Sequence, residues 1–519
     1  MIDFGMEEYS PEALLKKNLS LIKAANAAQN YWVSFTKYAN DFMIPYMSAV
    51  NYFTSVEILK LFKASPLDSF RSYMDLLEFN ADLSNKGLTG SMRAINNYNQ
   101  RELDYALSAM FNTFFNRSGE ENIDTFISRQ AKMMDMVAYG YSQAIDDIEP
   151  EYGFHFERDD NSVKIAETDR FILYQVLPID KKVEVNKSGK PVIIMPPYVL
   201  GSNILGFLPH ENRSYTHCFA NQGIPVYMRV MKDISTTPAV QILTGEDDAL
   251  DTKFFCEKVM GIHGKPVTLN GYCQGGFVAL CNILSGELDG LVDAFISCVS
   301  PMDGTRSKGF EKFFGELPER FNHLDYGTKT LGNGNKVADG DLMGWVYKLK
   351  SIENEFPIVA FYRDMTMLTP RGDNGDEIKI SKTAAAINYW LKYERNDLPL
   401  SITKMSFDSY NTAITDDGTL PIKLFDRKLN LKRIKEKGIT WLICYGEKDD
   451  LVEKETALAP LDYIDAEVSP FPKGHVAIAT SWSNPKSACA LHTCFGDKKY
   501  RGPVRFQLDI DKELSEREV

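Results

Sequence analysis

The sequence predicts an α/β fold: a largely parallel sheet with helices on both faces, interrupted by a cap insertion and preceded by a helical N-terminal domain. Three observations carry this expectation. Residues 1 to about 150 are poor in glycine and show apolar residues at helical spacing. Beyond that point short apolar runs alternate with helix-like segments, as βαβ units do. The alternation stops between about Asp303 and Glu436 and then resumes, as it would around an insertion.

The elements follow in order. Residues 1–160 form the expected helical N-terminal domain, with Leu14, Leu15, Leu19 and Ile22, and Met133, Met134, Met136 and Val137, at helical spacing. Leu103, Leu107, Met110, Phe111 and Phe114 trace an amphipathic stripe, whose expected use is core packing. The aromatic set Tyr31, Trp32, Phe35, Tyr38, Phe42, Tyr46, Tyr52 and Phe53 is expected to be buried too, the alternative being an apolar face for a partner. Residues 161–304 supply the first part of the core, with strands at Phe171 to Val176, Val192 to Met195, Ile224 to Val230, Val267 to Gly271 and Ala294 to Val299. Such near-continuous apolar runs suit parallel strands covered on both faces. Helices are expected at Asp248 to His263 and Gly276 to Ser285. Residues 305–436 are the cap or lid, expected over the carboxyl ends of the strands, and include the Thr369 to Gly375 turn and the helix-like run Ala384 to Tyr393. Residues 437–505 complete the core with strands at Thr440 to Tyr445 and Ala466 to Pro472, and residues 506–519 read as a charged, solvated tail.

Composition narrows the function. A chain of 519 residues, 44% of them hydrophobic, is long enough for two or three units that each bury a core. Its 58 basic and 71 acidic residues leave a net charge of −13, which disfavours a mainly electrostatic nucleic-acid binder. The eight cysteines, Cys218, Cys256, Cys273, Cys281, Cys298, Cys444, Cys489 and Cys494, lack the spacing of a secreted scaffold and read as reduced thiols. Met1 to Glu8 carries acids where a signal peptide carries bases, and the uncharged stretch Phe42 to Val56 is too short to span a bilayer. A soluble cytoplasmic protein with no transmembrane segment is the expectation.

The chemistry centres on Gly271-Tyr272-Cys273-Gln274-Gly275-Gly276, between an expected strand and an expected helix. This is the setting of a nucleophile elbow, where small residues allow a turn tight enough to lift the nucleophile above the sheet. It points to an α/β-hydrolase fold with Cys273 in the position usually held by serine, and with the next amide, that of Gln274, aimed into an oxyanion hole. An acid and then a histidine should follow along the chain. Asp449 fits the acid, after the strand Thr440 to Tyr445, with Asp450 as the alternative; Lys473-Gly474-His475 offers the base. His155, His210, His217, His263 and His323 precede the acid, and His492 lacks a strand-end context. The second oxyanion donor is expected in Met195-Pro196-Pro197-Tyr198-Val199, at the amide of Tyr198 or Val199, because proline has no N–H to give. Cys489, His492 and Cys494 do not match a familiar zinc spacing, so no metal is expected. A thiolate nucleophile forms a thioester that stays activated toward an alcohol or amine, which suits transfer of an acyl group better than simple ester hydrolysis.

These motifs resemble the polyhydroxyalkanoate synthase family. Gly271 to Gly276 looks like its Cys-containing lipase box, Met195-Pro196-Pro197-Tyr198 like its Pro-Pro-aromatic loop, and Asn388-Tyr389-Trp390 with Asp397-Leu398-Pro399 like a segment of its cap. Gly446 to Val452 and Gly474-His475 look like its acid and histidine motifs, although Glu453 stands where the family commonly has proline. The resemblance spans roughly residues 160 to 480. It implies an acyltransferase that polymerises (R)-3-hydroxyacyl-coenzyme A into a storage polyester, with Cys273 carrying the acyl group, His475 activating it and Asp449 orienting the histidine. It implies no cofactor beyond the coenzyme A thioester itself, and it associates the N-terminal region with homodimerisation and attachment to the polyester granule surface. Coenzyme A is anionic, so a local basic entrance is expected among Arg229, Lys232 and the cap lysines. Two other readings remain open: a hydrolase of the same fold, either polyester depolymerase or acyl thioesterase, and a catalytically weak granule-associated scaffold acting through residues 1–150.

Overall fold

A computed structural model describes residues 11–61, 65–115, 117, 119–156, 158, 161–316, 323–367 and 380–517. The turn Thr369 to Gly375 lies outside the described residues. The chain divides into two compact units, Met1–Ile148 with Trp345–Asn388, and Glu149–Gly344 with Tyr389–Val519. The stretch 305–436 is thus shared between them.

In the helical unit, α1 (Pro11–Leu61), α2 (Pro66–Phe114) and α3 (Ile123–Asp135) start where local chemistry lets them. Ser65 caps α2 by accepting the Asp68 N–H at 3.2 Å, with Pro66 in the first turn, where its missing N–H costs nothing. Asn122 and Thr125 form a reciprocal capping box at α3. Met133, Met134, Val137, Phe361 and Met365 make a local core, in which Tyr31 and Tyr38 meet Phe361 edge-on at 5.1 and 5.6 Å. The Tyr38 hydroxyl donates to Asp364 at 2.5 Å. Most of the aromatic set is accordingly half-buried or buried, but Trp32 is 65% exposed.

The stripe on α2 contradicts its expected role. Leu103, Leu107, Met110, Phe111 and Phe114 are all exposed. The buried face of α2 carries mostly small residues instead, Ser69, Ser72, Gly87, Gly90, Ser91 and Ala109, with Phe79 and Leu83 beside them. A Cβ on Gly90 would stand 2.1 Å from the Glu353 carbonyl oxygen, so the neighbouring backbone packs where large side chains would not fit. Close approach of the chain at Gly87 and Gly90 selects the small face there, and the five stripe residues are left outside.

The α/β unit is built on one eight-stranded sheet, β1 (Ser162–Glu167), β2 (Phe171–Val176), β3 (Val192–Met195), β4 (Val226–Met231), β5 (Val267–Tyr272), β6 (Val292–Cys298), β7 (Thr440–Gly446) and β8 (Glu467–Phe471). Its spatial order is 1-2-4-3-5-6-7-8. Pairing is parallel from β4 through β8 and antiparallel for β1 with β2 and β2 with β4. This is the α/β-hydrolase fold. The expected central strands agree with the structure to within two residues, because a strand buried on both faces must be almost wholly apolar. β1 carried no such signal: it is a polar edge strand with no buried residue. Helices α4 (Gly245–His263), α5 (Gln274–Ser285), α6 (Leu400–Asn411) and α7 (Pro503–Arg517) belong to the same unit. Among the described residues no helix is long and apolar enough to cross a membrane.

The expected solvated tail is instead helix α7. Val504, Phe506, Gln507 and Ile510 bring one side of it into the interior. Asp511 accepts the Lys190 N–H at 2.9 Å and the Lys265 ammonium at 2.8 Å, while Gln507 donates to the Lys190 carbonyl at 2.9 Å. The charges that suggested a free tail are partly its anchors. Phe506 is fully buried, so Phe506→Ala is expected to cost about 3 kcal/mol of stability, read as a lowered urea midpoint with an unchanged m-value.

Candidate active site

Cys273 is the single residue between β5 and α5, at φ +51° and ψ −127°. A non-glycine residue enters this region at a cost, and the surrounding sequence is what makes the turn possible. A Cβ on Gly271 would lie 2.2 Å from the Gly276 Cα, one on Gly276 1.9 Å from the Ser300 hydroxyl, and one on Gly275 2.2 Å from the Met195 carbonyl oxygen. All three glycines are required by contact. The Cys273 N–H donates to the Cys298 carbonyl at 2.8 Å, tying the strained turn to β6.

The acid and the histidine arrive from β7 and β8. Asp449, three residues beyond β7, is buried, and its Oδ1 accepts the N–H groups of Leu451 and Val452 at 2.9 Å each. Its Oδ2 meets His475 Nδ1 at 2.8 Å. Asp450, the alternative acid, is exposed and makes no such bond to the histidine. His475 is buried, and its Nε2, which has no well-aligned hydrogen-bond partner, faces the Cys273 sulfur. Burial disfavours a charged ring, but the Asp449 carboxylate and then the Cys273 sulfur outweigh it and hold the His475 pKa well above the ordinary imidazole value. The chain order cysteine, aspartate, histidine thus follows the order of β5, β7 and β8 across the sheet, each residue lying beyond the carboxyl end of its strand.

Tyr272 was not singled out by the sequence pattern. Its phenol donates to the His475 carbonyl at 2.8 Å and its ring meets the imidazole edge-on, so the residue before the cysteine positions the histidine loop. Glu453 accepts the Lys308 and Gly309 N–H groups at 3.0 and 2.8 Å and so caps the start of the helix Lys308–Glu316.

On the oxyanion side, the loop after β3 lies against the elbow, since Gly275 touches the carbonyls of Met195 and Pro196. The Tyr198 side chain anchors this loop in the interior. Its hydroxyl donates to Asp248 and accepts from Arg229 Nη2 at 3.0 Å, while Arg229 Nη1 meets Asp248 Oδ1 at 2.9 Å and Thr252 at 2.8 Å. Burial, and the Asp248 charge with it, pushes the Tyr198 pKa well up, the nearby Arg229 charge notwithstanding. The Gln274 N–H opens α5 and has no intrahelical acceptor, and its side-chain amide donates to Ser406 of α6 at 2.8 Å. The amides of Gln274, Tyr198 and Val199 therefore belong to two segments in direct contact.

Arg229 does not belong to a basic entrance. It is 2% exposed and ion-paired to the fully buried Asp248, so its charge is spent inside the fold. A charged residue inside the run Val226 to Met231 was the signal of such a pair, because arginine is almost never fully buried without a partner. Lys232 lines a cavity of about 190 Å³ with Pro196, Pro197, Tyr198 and Glu394. Burial pushes the Glu394 carboxyl up to about 6, against hydrogen bonds from Asn203 at 2.6 Å and Tyr152 at 3.1 Å.

The other thiols and histidines play different parts. Burial pushes the Cys218 and Cys256 thiols up to about 12 each, which makes them poor nucleophiles. His217 is driven down to about 3 by burial and shares a 2.7 Å hydrogen bond with Ser214. Among the described residues no group of three or more His, Cys, Asp or Glu side chains is placed to hold a metal ion.

No protein-family model and no curated protein matches the chain. Solved structures similar to it include DcsB in complex with a substrate analogue, 13% identical, covering 68% of this chain and 98% of that one with a TM-score of 0.37. A carboxylesterase of the ammonia-oxidizing thaumarchaeon Nitrososphaera gargenis is 13% identical over 61% of this chain and 92% of its own, with a TM-score of 0.34. A polyneuridine aldehyde esterase mutant is 14% identical over 62% and 99%, with a TM-score of 0.32.

Two outcomes follow for Asp449→Asn. Without the carboxylate, burial acts on the imidazole almost unopposed, so alkylation of Cys273 by iodoacetamide at neutral pH should slow by about 100-fold. The stabilisation from the raised His475 pKa is complete below the unfolded value of about 6.5 and fades as pH rises through the folded value. The stability gap between the parent and Asp449→Asn in urea should therefore be wider at about pH 6 than at about pH 9.

Proposed function

We propose that the protein is an acyltransferase that carries its acyl group as a thioester on Cys273 and polymerises (R)-3-hydroxyacyl groups delivered by coenzyme A. The observation that carries the reading is a partly exposed thiol at the elbow, facing a histidine whose pKa an aspartate holds up. A raised imidazole pKa favours an imidazolium–thiolate pair, the reactive form of a cysteine nucleophile.

The steps follow from that pair. The Cys273 thiolate attacks the thioester carbonyl, and the developing oxyanion takes the Gln274 N–H together with that of Tyr198 or Val199. The C–S bond to coenzyme A breaks, and the His475 imidazolium gives its proton to the departing thiolate. Neutral His475 then accepts the proton of the 3-hydroxyl of an acceptor chain as that oxygen attacks the acyl-cysteine. An ester C–O bond forms, the C–S bond to Cys273 breaks, and the imidazolium–thiolate pair is restored. Asp449 holds the imidazole in place throughout and stabilises its charged form. Water in place of the hydroxyl would make the same site a thioesterase.

The test is incubation with (R)-3-hydroxybutyryl-coenzyme A. A hydroxybutyryl adduct on Cys273 by mass spectrometry, absent from Cys273→Ala, together with coenzyme A release and insoluble polyester, is the expected result. Coenzyme A release with free hydroxy acid alone would assign a hydrolase. Neither adduct nor release from the parent chain would sink both and leave the scaffold reading.

A further inference from the structure

We propose that the α/β unit holds a binding site for a small organic ammonium ion, centred on the Glu394 carboxylate where two cavities meet and walled by tyrosine rings. The first cavity, of about 190 Å³, is lined by Pro196, Pro197, Lys232 and Tyr393. The second, of about 370 Å³, is lined by Tyr152, Phe154, Phe156, Tyr174 and Tyr389. Asn203, Val230 and Glu394 line both, so the carboxylate stands at their shared wall. Together the two fall within the roughly 300–1,000 Å³ of small-molecule sites. The site takes nothing from Cys273 and does not rest on the acyltransferase reading.

Glu394 selects the ligand. Its Oε1 accepts from Asn203 at 2.6 Å and its Oε2 from Tyr152 at 3.1 Å. Burial and these two hydrogen bonds are what act on its carboxyl, and among the described residues no cation is paired with it. The nearby cations are directed elsewhere: Arg158 is exposed and lies 3.9 Å from Glu149, Lys232 acts on Glu167, and Arg229 pairs with Asp248. A carboxylate drawn out of water without a counterion is costly, and a bound cation removes that cost. The walls add a second attraction. Tyr152 and Tyr389 meet at 5.4 Å with their planes tilted by 55°, and Tyr389 and Tyr393 at 4.9 Å and 53°, so these rings do not cover one another as stacked rings do. Phe156 is stacked between Phe154 and Tyr174 and supplies an apolar wall. Aromatic rings beside a carboxylate suit an alkylammonium, which offers a positive charge on an apolar body. Other occupants leave a conflict. An anion would meet the charges of Glu394 and Glu149, and a neutral acyl chain would leave the carboxylate unpaired. A metal ion would find no group of three His, Cys, Asp or Glu ligands among the described residues.

The test is calorimetric titration of the full chain with choline, with butylammonium and with dimethylbutanol, the neutral isostere of choline. At least one of the two cations should bind saturably, and the alcohol at least tenfold more weakly. Glu394→Gln, which keeps the shape of the side chain, should weaken the cation by at least tenfold, and Tyr389→Ala by about fivefold. Burial pushes the Glu394 carboxyl up to about 6, so the cation should bind the parent about tenfold less tightly at about pH 5 than at about pH 7.5. Glu149, His155, Arg158, Lys232 and the tyrosines line the same space, and His155 can also gain charge over this range. The pH response should therefore vanish in Glu394→Gln. Tyr152→Phe removes a hydrogen bond to the ionised carboxyl and should move the midpoint of the response upward. Failure of both cations to bind overturns the proposal, as does equal binding of the alcohol. So does a pH response that Glu394→Gln retains, or a midpoint that Tyr152→Phe leaves in place. None of these outcomes depends on acylation of Cys273.

Discussion

The elbow at Cys273 is the constraint on which the rest of the α/β unit depends. A backbone forced to φ +51° at a non-glycine residue survives only where its surroundings leave no alternative. Here Gly276 sits against Gly271 and Ser300, Gly275 sits against the loop after β3, and the Cys273 N–H is held by β6. The same compression that strains the turn holds the loop after β3 against the elbow, at the Met195 and Pro196 carbonyls. Tyr272, which ends β5, ties the turn to the backbone of His475. One tight turn thus links Cys273, the His475 loop and the loop after β3.

A buried ion pair supports this arrangement from below. Arg229 and Asp248 would be costly as isolated charges; each neutralises the other, and Tyr198, Thr252 and Asn282 add hydrogen bonds to them. The network joins β4, α4, α5 and the loop after β3, the loop that touches the elbow. Its position gives a physical reason for a tyrosine after the two prolines: the ring reaches inward for the ion pair, leaving the loop backbone to face the elbow.

The helical unit follows another logic. Its α2 buries glycine, serine and alanine together with Phe79 and Leu83, and it leaves a stripe of leucine, methionine and phenylalanine on the surface. An amphipathic pattern states only that two faces differ; it does not say which face meets the rest of the same chain. Close packing of small residues decided that here, reversing the usual assignment of an apolar stripe to the core.

The sequence by itself determined the α/β class, the central strands, the elbow and the identity of the cysteine, because these depend on local patterns: apolar runs for buried strands and glycines where no side chain fits. It also narrowed the candidate acid to two neighbours and the candidate base to His475. Only the tertiary structure shows which of Asp449 and Asp450 meets His475, since adjacent residues differ in which one the turn after β7 buries, and that depends on the Leu451 and Val452 amides folding back on the carboxylate. It likewise placed Arg229 in the interior, docked the final helix through Phe506 and Asp511, and left the α2 stripe outside. In each of these the deciding partner lies far along the chain, where neither periodicity nor composition reaches.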